Sequence, residues 1–225
     1  MPSPPTGHAA TSVHGALLAV DLGTQSLRLT AFEPDGRCTW RWSAPVDSTI
    51  DGDRFEQSPA QWAALLDAGL DEAGRAGVRP EAVAAAGPLA GYVPLDATGR
   101  ALGPAVMYTD RRAAADALRV QQAVARHGGD RGLRLHPADP LPQWLRLRRE
   151  APEAAARTRH FLDATGWLVH HLCGEATLNA YTALRLDFDA AALAALDVEP
   201  TRTDAPFGRV TALGEPVGRL RPACA

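Results

Sequence analysis

Hydrophobic and polar positions alternate with a strand-like period through the first part of the chain and then switch to a helical repeat. The apolar run 16–20 predicts a first strand, and 27–32 predicts a second. After the turn Glu33-Pro34-Asp35-Gly36, Cys38, Trp40 and Trp42 alternate with polar neighbours and predict a third strand over 38–43. A Pro-Asp-Gly turn between period-2 segments predicts an antiparallel meander.

A helix then has a clear start. Ser58 is placed as N-cap, Pro59 occupies the first helical position, and Gln61 completes a capping box. Trp62, Leu65, Leu66 and Leu70 mark its buried face. A short strand is predicted near 83–86 and another over 92–95, closed by the turn Asp96-Ala97-Thr98-Gly99. A further apolar run covers 105–108. Helical patterning over 111–127 stops at Gly128-Gly129, and a polar, proline-rich passage follows to Pro142. Helical signals return around 144–150, 153–160 and 161–173. The first fifteen residues read as a disordered leader, and 201–225 as a loop-like tail.

Three antiparallel strands followed by a helix, a strand and more helices match the pattern of an α/β, actin-like (ribonuclease-H-like) half-domain. Such a half-domain faces a second half across a nucleotide cleft.

The charge balance narrows the function classes. With 46% hydrophobic and 22% charged residues and a net charge of −3, the chain lacks the basic excess of a nucleic-acid groove or an anionic-membrane binder. All 23 basic residues are arginine, which removes a lysine-based phosphate clamp. Three widely spaced cysteines indicate neither a disulfide framework nor a zinc knuckle. The N-terminus lacks a signal-peptide pattern and no apolar run is long enough to span a bilayer, so a cytoplasmic location is expected.

Candidate chemistry concentrates where the first strand ends. Asp21 precedes Gly23-Thr24-Gln25-Ser26, and a second strand carrying Arg28 follows. A turn of this kind can wrap backbone N–H groups and two hydroxyls around a phosphate. Asp21 is placed to hold Mg²⁺, directly or through water. The competing reading is an ordinary strand turn, with Arg28 solvated. Asp110 and Arg112 can anchor the wall of a cleft, Asp110 can cap the helix over 111–127, and the two roles are compatible. His170-His171-x-Cys173 invites a metal reading, but adjacent helical side chains point about 100° apart and seldom share an ion. Arg146, Arg148 and Arg149 read as the wet face of a helix, and the five tryptophans as packing.

Several segments in order resemble the N-terminal domain of the FGGY family of carbohydrate kinases. Asp21-Leu22-Gly23-Thr24-Gln25-Ser26-Leu27-Arg28 is similar to its first phosphate motif, and Glu56-Gln57-Ser58-Pro59-Ala60-Gln61-Trp62 to its Glu-Gln-x-Pro-x-x-Trp helix start. Leu95-Asp96-x-x-Gly99-x-x-Leu102-x-Pro104 and Tyr108-Thr109-Asp110-x-Arg112 resemble its Leu-Asp-x-x-Gly and Asn-Asp-x-Arg stretch. Trp144-Leu145 with Ala151-Pro152-Glu153, then 167–174 and 183–189, continue the likeness, while the family's Asp-x-Ser between them is altered to Asn179-Ala180-Tyr181. The last part is closest to the ribulokinase- and xylulokinase-like branch.

The resemblance implies ATP and Mg²⁺ as cofactors and transfer of the γ-phosphoryl to a sugar hydroxyl, with a ketopentose such as ribulose or xylulose as acceptor. It implies phosphate contacts from Gly23, Thr24, Gln25, Ser26 and Arg28, and a metal role for Asp21. It puts Leu89, Ala90, Asp110 and Arg112 on the sugar side. Two departures stand out. The family's polar Gly-Gln-Met-His-Gly, or Gly-Thr-Ser, is replaced by Gly87-Pro88-Leu89-Ala90-Gly91, which offers no side-chain hydrogen bonds to a polyol. The family's general-base carboxylate, expected to contribute about 10²–10⁴-fold in rate, follows a Gly-rich turn that would lie beyond Ala225. The alternative expectation is therefore a non-catalytic half-domain that binds a phosphate compound weakly. Its other form is a half-domain that docks on a partner supplying the missing half, and a homodimer is a further expectation.

Overall fold

A computed structural model describes residues 13–127, 134–184, 186, 190–198 and 207–224. The apolar first segment forms β1 (Val13–Leu22), followed by β2 (Ser26–Phe32) and β3 (Cys38–Pro45), each antiparallel to the one before. The strand β1 thus begins inside the expected leader, whose residues 1–12 lie outside the described ones. Leu18, Val20, Leu22, Leu27, Leu29, Trp40 and Trp42 are all buried, as period-2 alternation requires.

A second hairpin comes next, β4 (Ser48–Asp51) and β5 (Arg54–Gln57), turning at Gly52, which has φ 55°. It carries few apolar residues, so hydrophobic periodicity did not announce it. The helix α1 (Pro59–Arg75) starts as expected, with the Ser58 hydroxyl accepting from the Gln61 N–H at 3.3 Å. The capping box is only half formed. The Gln61 side chain turns to Asp47, accepting from its N–H and donating to its carboxylate at 2.7 Å. Trp62 and Leu66 are fully buried against the sheet. Gly69 lets the helix approach closely: a Cβ there would lie 2.9 Å from two Trp42 ring atoms.

The next strand, β6 (Val78–Ala86), lies parallel to β1 and gives the sheet order β3-β2-β1-β6. Among the described residues β6 is one edge of that sheet. It is longer than the sequence predicted, because Arg79-Pro80-Glu81 hides its first half.

The short strands β7 (Val93–Leu95) and β8 (Ala105–Val106) join other partners: β8 extends the β4–β5 hairpin, with Tyr92 bridging to Val106. The helix α2 spans Ala114–His127, three residues shorter at its start than expected. It packs on α3 (Pro140–Glu150), and α4 (Pro152–Arg157) follows. Helix α3 begins inside the passage read as irregular. Its Arg146 is buried rather than wet, donating to Gln143 and pairing with Glu150.

The predicted helix over 161–173 splits. His160–Leu162 forms β9, antiparallel to β7, and α5 is Ala164–Cys173, capped by Asp163 and ended by left-handed Gly174. Then come β10 (Thr177–Asn179), α6 (Ala180–Leu184) and α7 (Ala190–Ala194). The tail is not all loop. Its Arg209–Thr211 forms β11, parallel to β10, and Pro222–Cys224 makes one 3₁₀ turn. No helix among the described residues is long and apolar enough to cross a membrane.

Candidate functional site

The turn after β1 is built by register. Asp21 and Arg28 stand opposite each other on β1 and β2 and form an ion pair at 2.7 Å, each side chain about half exposed (47% and 56%). Between them the Gly23 N–H donates to the Ser26 carbonyl at 2.8 Å. A Cβ at Gly23 would meet that carbonyl at 3.0 Å, so the residue must stay small for the turn to close. Thr24 and Ser26 are partly exposed and Gln25 is exposed. Arg28 is exposed too, but it engages Asp21 instead of standing free.

The turn is held from behind. The Val46 N–H donates to the Gln25 carbonyl at 3.0 Å, and the Gln57 amide donates to the Thr24 carbonyl at 2.8 Å. Gln57 is 2% exposed and also donates to the Ser48 hydroxyl, while its own carbonyl accepts from Trp62 Nε1 at 3.0 Å. One buried amide therefore links the turn, the β4–β5 hairpin and α1. Two carbonyls of the turn are thereby taken by its scaffold, which fixes the shape of the turn.

A second polar cluster centres on Asp110, which is fully buried. It accepts from the Phe55 N–H at 2.9 Å and from the Arg112 guanidinium at 2.7 Å. Arg112 also donates to Glu56 at 2.6 Å. Burial works against the Arg112 charge, but hydrogen bonds and charge from Asp110 and Glu56 outweigh it and raise its pKa. Asp110 does not cap α2, which begins at Ala114, and it does not line a cleft. It fixes the strip 108–111 against the β4–β5 hairpin.

That strip borders a cleft of about 380 Å³. Leu89, Ala90, Tyr108, Thr109 and Arg111 line it, together with His136, Asp139 and Thr182. Leu89 is 64% exposed. Ala90 is left-handed at φ 66°, unusual for a residue with a Cβ, and its carbonyl accepts from the Ala164 N–H. His136 Nδ1 accepts from the Ala138 N–H at 3.1 Å, which leaves the ring proton on Nε2 as a donor.

Sequence reasoning picked out Leu89 and Ala90 of this lining but not His136, Asp139 or Thr182. It also missed Asp163, which accepts from the Gly166 N–H at 2.7 Å and from Asn179 and Thr182 at 3.0 and 3.1 Å. Burial pushes the Asp163 carboxyl up, partly offset by the bonds from Gly166, Thr182 and Thr165. The signal for Asp163 was present: an Asp directly before an apolar helical run is an N-cap pattern.

The model of the FGGY family of carbohydrate kinases, N-terminal domain, matches residues 16–224. The chain belongs to the FGGY family of carbohydrate kinases. A xylulose kinase of Streptomyces coelicolor is 30% identical over 165 residues, covering 72% of this chain and 34% of that protein. A glycerol kinase of Aromatoleum aromaticum is 30% identical over 210 residues, covering 82% of this chain and 42% of that protein. The crystal structure of a xyloylose kinase from Brucella ovis superposes with a TM-score of 0.78 at 21% identity, over 92% of this chain and 45% of that one. The chain thus spans less than half the length of these relatives, and its fold is the actin-like, ribonuclease-H-like fold of FGGY sugar kinases.

Within this family frame, Asp21 and Gly23 to Ser26 occupy one turn. Asp110 and Arg112 sit behind the cleft lined by Leu89 and Ala90.

Proposed function

We propose that this chain forms the phosphate- and sugar-facing half of an ATP-dependent carbohydrate kinase, with a ketopentose as acceptor. The observation that carries the reading is the turn of residues 23–26. It is closed by Gly23, fixed from behind by Gln57 and flanked by Asp21. In this reading the Gly23, Thr24, Gln25 and Ser26 turn meets the ATP phosphates and Arg28 adds a cation at its rim. Two xylulose kinases among the matched relatives favour the ketopentose, alongside a glycerol kinase that shows the family's breadth.

The residues present fit a magnesium ion. Asp21 is a carboxylate at a strand end, about half exposed, beside the turn of residues 23–26. Magnesium commonly takes one or two carboxylates and completes its shell with water and substrate phosphates. Asp21 would hold it after releasing Arg28. The bound ion would supply charge neutralisation for the transferring phosphoryl group. The chain's own residues do the rest: the turn orients the phosphates, and Asp110 with Arg112 holds the strip of 108–111 that borders the sugar cleft.

A second reading has its own observation. Leu89 and Ala90 present hydrocarbon where a polyol would be gripped, which favours a binding module without turnover.

Calorimetric titration of the purified chain with ATP, with and without Mg²⁺, tests the site. Binding strengthened by Mg²⁺ and lost in D21A is expected. Mg²⁺-dependent binding that survives in D21A would overturn the assignment of Asp21. Assay of ATP consumption with ribulose or xylulose then separates the kinase from the binding module.

A further inference from the structure

Away from the cleft, three elements bring three different metal-ligating side chains to one point. Asp67 comes from the middle of α1, His171 from the last turn of α5, and Cys224 from the 3₁₀ turn Pro222–Cys224. One carboxylate oxygen, one imidazole nitrogen and one sulfur lie within 4.8 Å of one another. His171 Nε2 is 2.8 Å from Asp67 Oδ1, and the Cys224 sulfur donates to the His171 carbonyl at 3.8 Å. The geometry points to a site for a divalent transition-metal ion of the zinc class, held by Asp67, His171 and Cys224, with its fourth position open to water.

The donor set argues for the ion. Carboxylate oxygen, imidazole nitrogen and thiolate sulfur are the three side-chain donors used around zinc, whereas magnesium and calcium want oxygen alone. Ligand atoms around a tetrahedral ion of that size stand somewhat under 4 Å apart, so small side-chain rotations convert the present contacts into coordination. The imidazole is already oriented. Trp167 stacks on the His171 ring with centroids 5.3 Å apart and planes at 27°.

The neighbouring histidine takes no part. His170 turns away to His160, with ring centroids 5.6 Å apart, and Cys173 donates to the Val169 carbonyl. The sequence pattern His-His-x-Cys was therefore the wrong grouping. Only His171 of it belongs to the cluster, and its companions are about 50 and 100 residues away in sequence.

Such an ion would pin the segment 222–224 to the two helices that flank it. The site is separate from the phosphate turn and the cleft, and it does not depend on the kinase reading.

The test uses the untagged chain and cobalt(II) as a spectroscopic stand-in for zinc. Titration should give a thiolate-to-cobalt charge-transfer band that saturates at one ion per chain. The band should be lost in C224S and H171Q and retained in C38S and C173S. Zinc should independently protect Cys224 of the unaltered chain from alkylation, read by mass spectrometry, so the result does not rest on any variant folding. Absence of the band together with unprotected Cys224 would overturn the site. So would a band that persists in C224S.

Discussion

The Gln57 side chain holds the Thr24 carbonyl at 2.8 Å while receiving the Trp62 indole N–H at 3.0 Å. Q57L would leave the buried Trp62 indole N–H without a partner and release the part-buried Thr24 carbonyl. A buried unsatisfied group such as the first costs about 1–3 kcal/mol. The expected result is a lower urea midpoint together with faster amide exchange at residues 23–26. Unchanged exchange there would mean that the turn does not depend on Gln57.

Arg112 neutralises a carboxylate with no exposure of its own. R112A leaves Asp110 charged and buried, and breaking a buried pair costs about 3–5 kcal/mol. D110N alone should cost less than R112A. The double variant should recover part of the loss, so the cycle should show favourable coupling between the two positions. Additive effects would count against the pairing.

Two glycines in α1 should respond with opposite signs. At Gly69 a methyl would meet Trp42 at 2.9 Å and Leu29 at 3.1 Å, and overpacking costs about 1–3 kcal/mol. At Gly74 nothing lies within 4 Å, so alanine there gains about 1 kcal/mol of helix propensity. Thermal unfolding of G69A and G74A should move in opposite directions.

Asp163 gives a pH dependence with a definite sign. Burial raises its pKa above the ordinary 3.8, so the folded chain holds the proton more tightly than the unfolded one. This contribution to stability is full below the unfolded value and is lost as pH rises through the folded one. An Asn at this position does not titrate. D163N should therefore flatten the stability profile across that window while keeping the acceptor for the Gly166 N–H. A profile unchanged by D163N would count against a raised pKa.

The meander, α1 and the Asp21 turn were legible because their signals are local: alternation, a proline-led helix start and a glycine between strands. The β4–β5 hairpin was not, since Ser48 to Asp51 is wholly exposed and carries little periodicity. The strand at 160–162 was lost because three residues ahead of an apolar helix look like its first turn. The cleft was half legible. Leu89 and Ala90 could be placed by resemblance, whereas His136, Asp139 and Thr182 reach it only through the packing of α3 and α6. Asp110 was found in sequence, but its complete burial could not be read from a motif.

Among the described residues β6 is one of two outer strands of the main sheet, and this bears on handling of the protein. Along β6 the first half is interrupted by Pro80, which offers no N–H, and flanked by the charges of Arg79 and Glu81. The second half, Val83 to Ala86, has only valine and alanine and no such guard. Intermolecular strand addition would therefore start there, and a lysine at exposed Ala84 should keep concentrated solutions clear for longer.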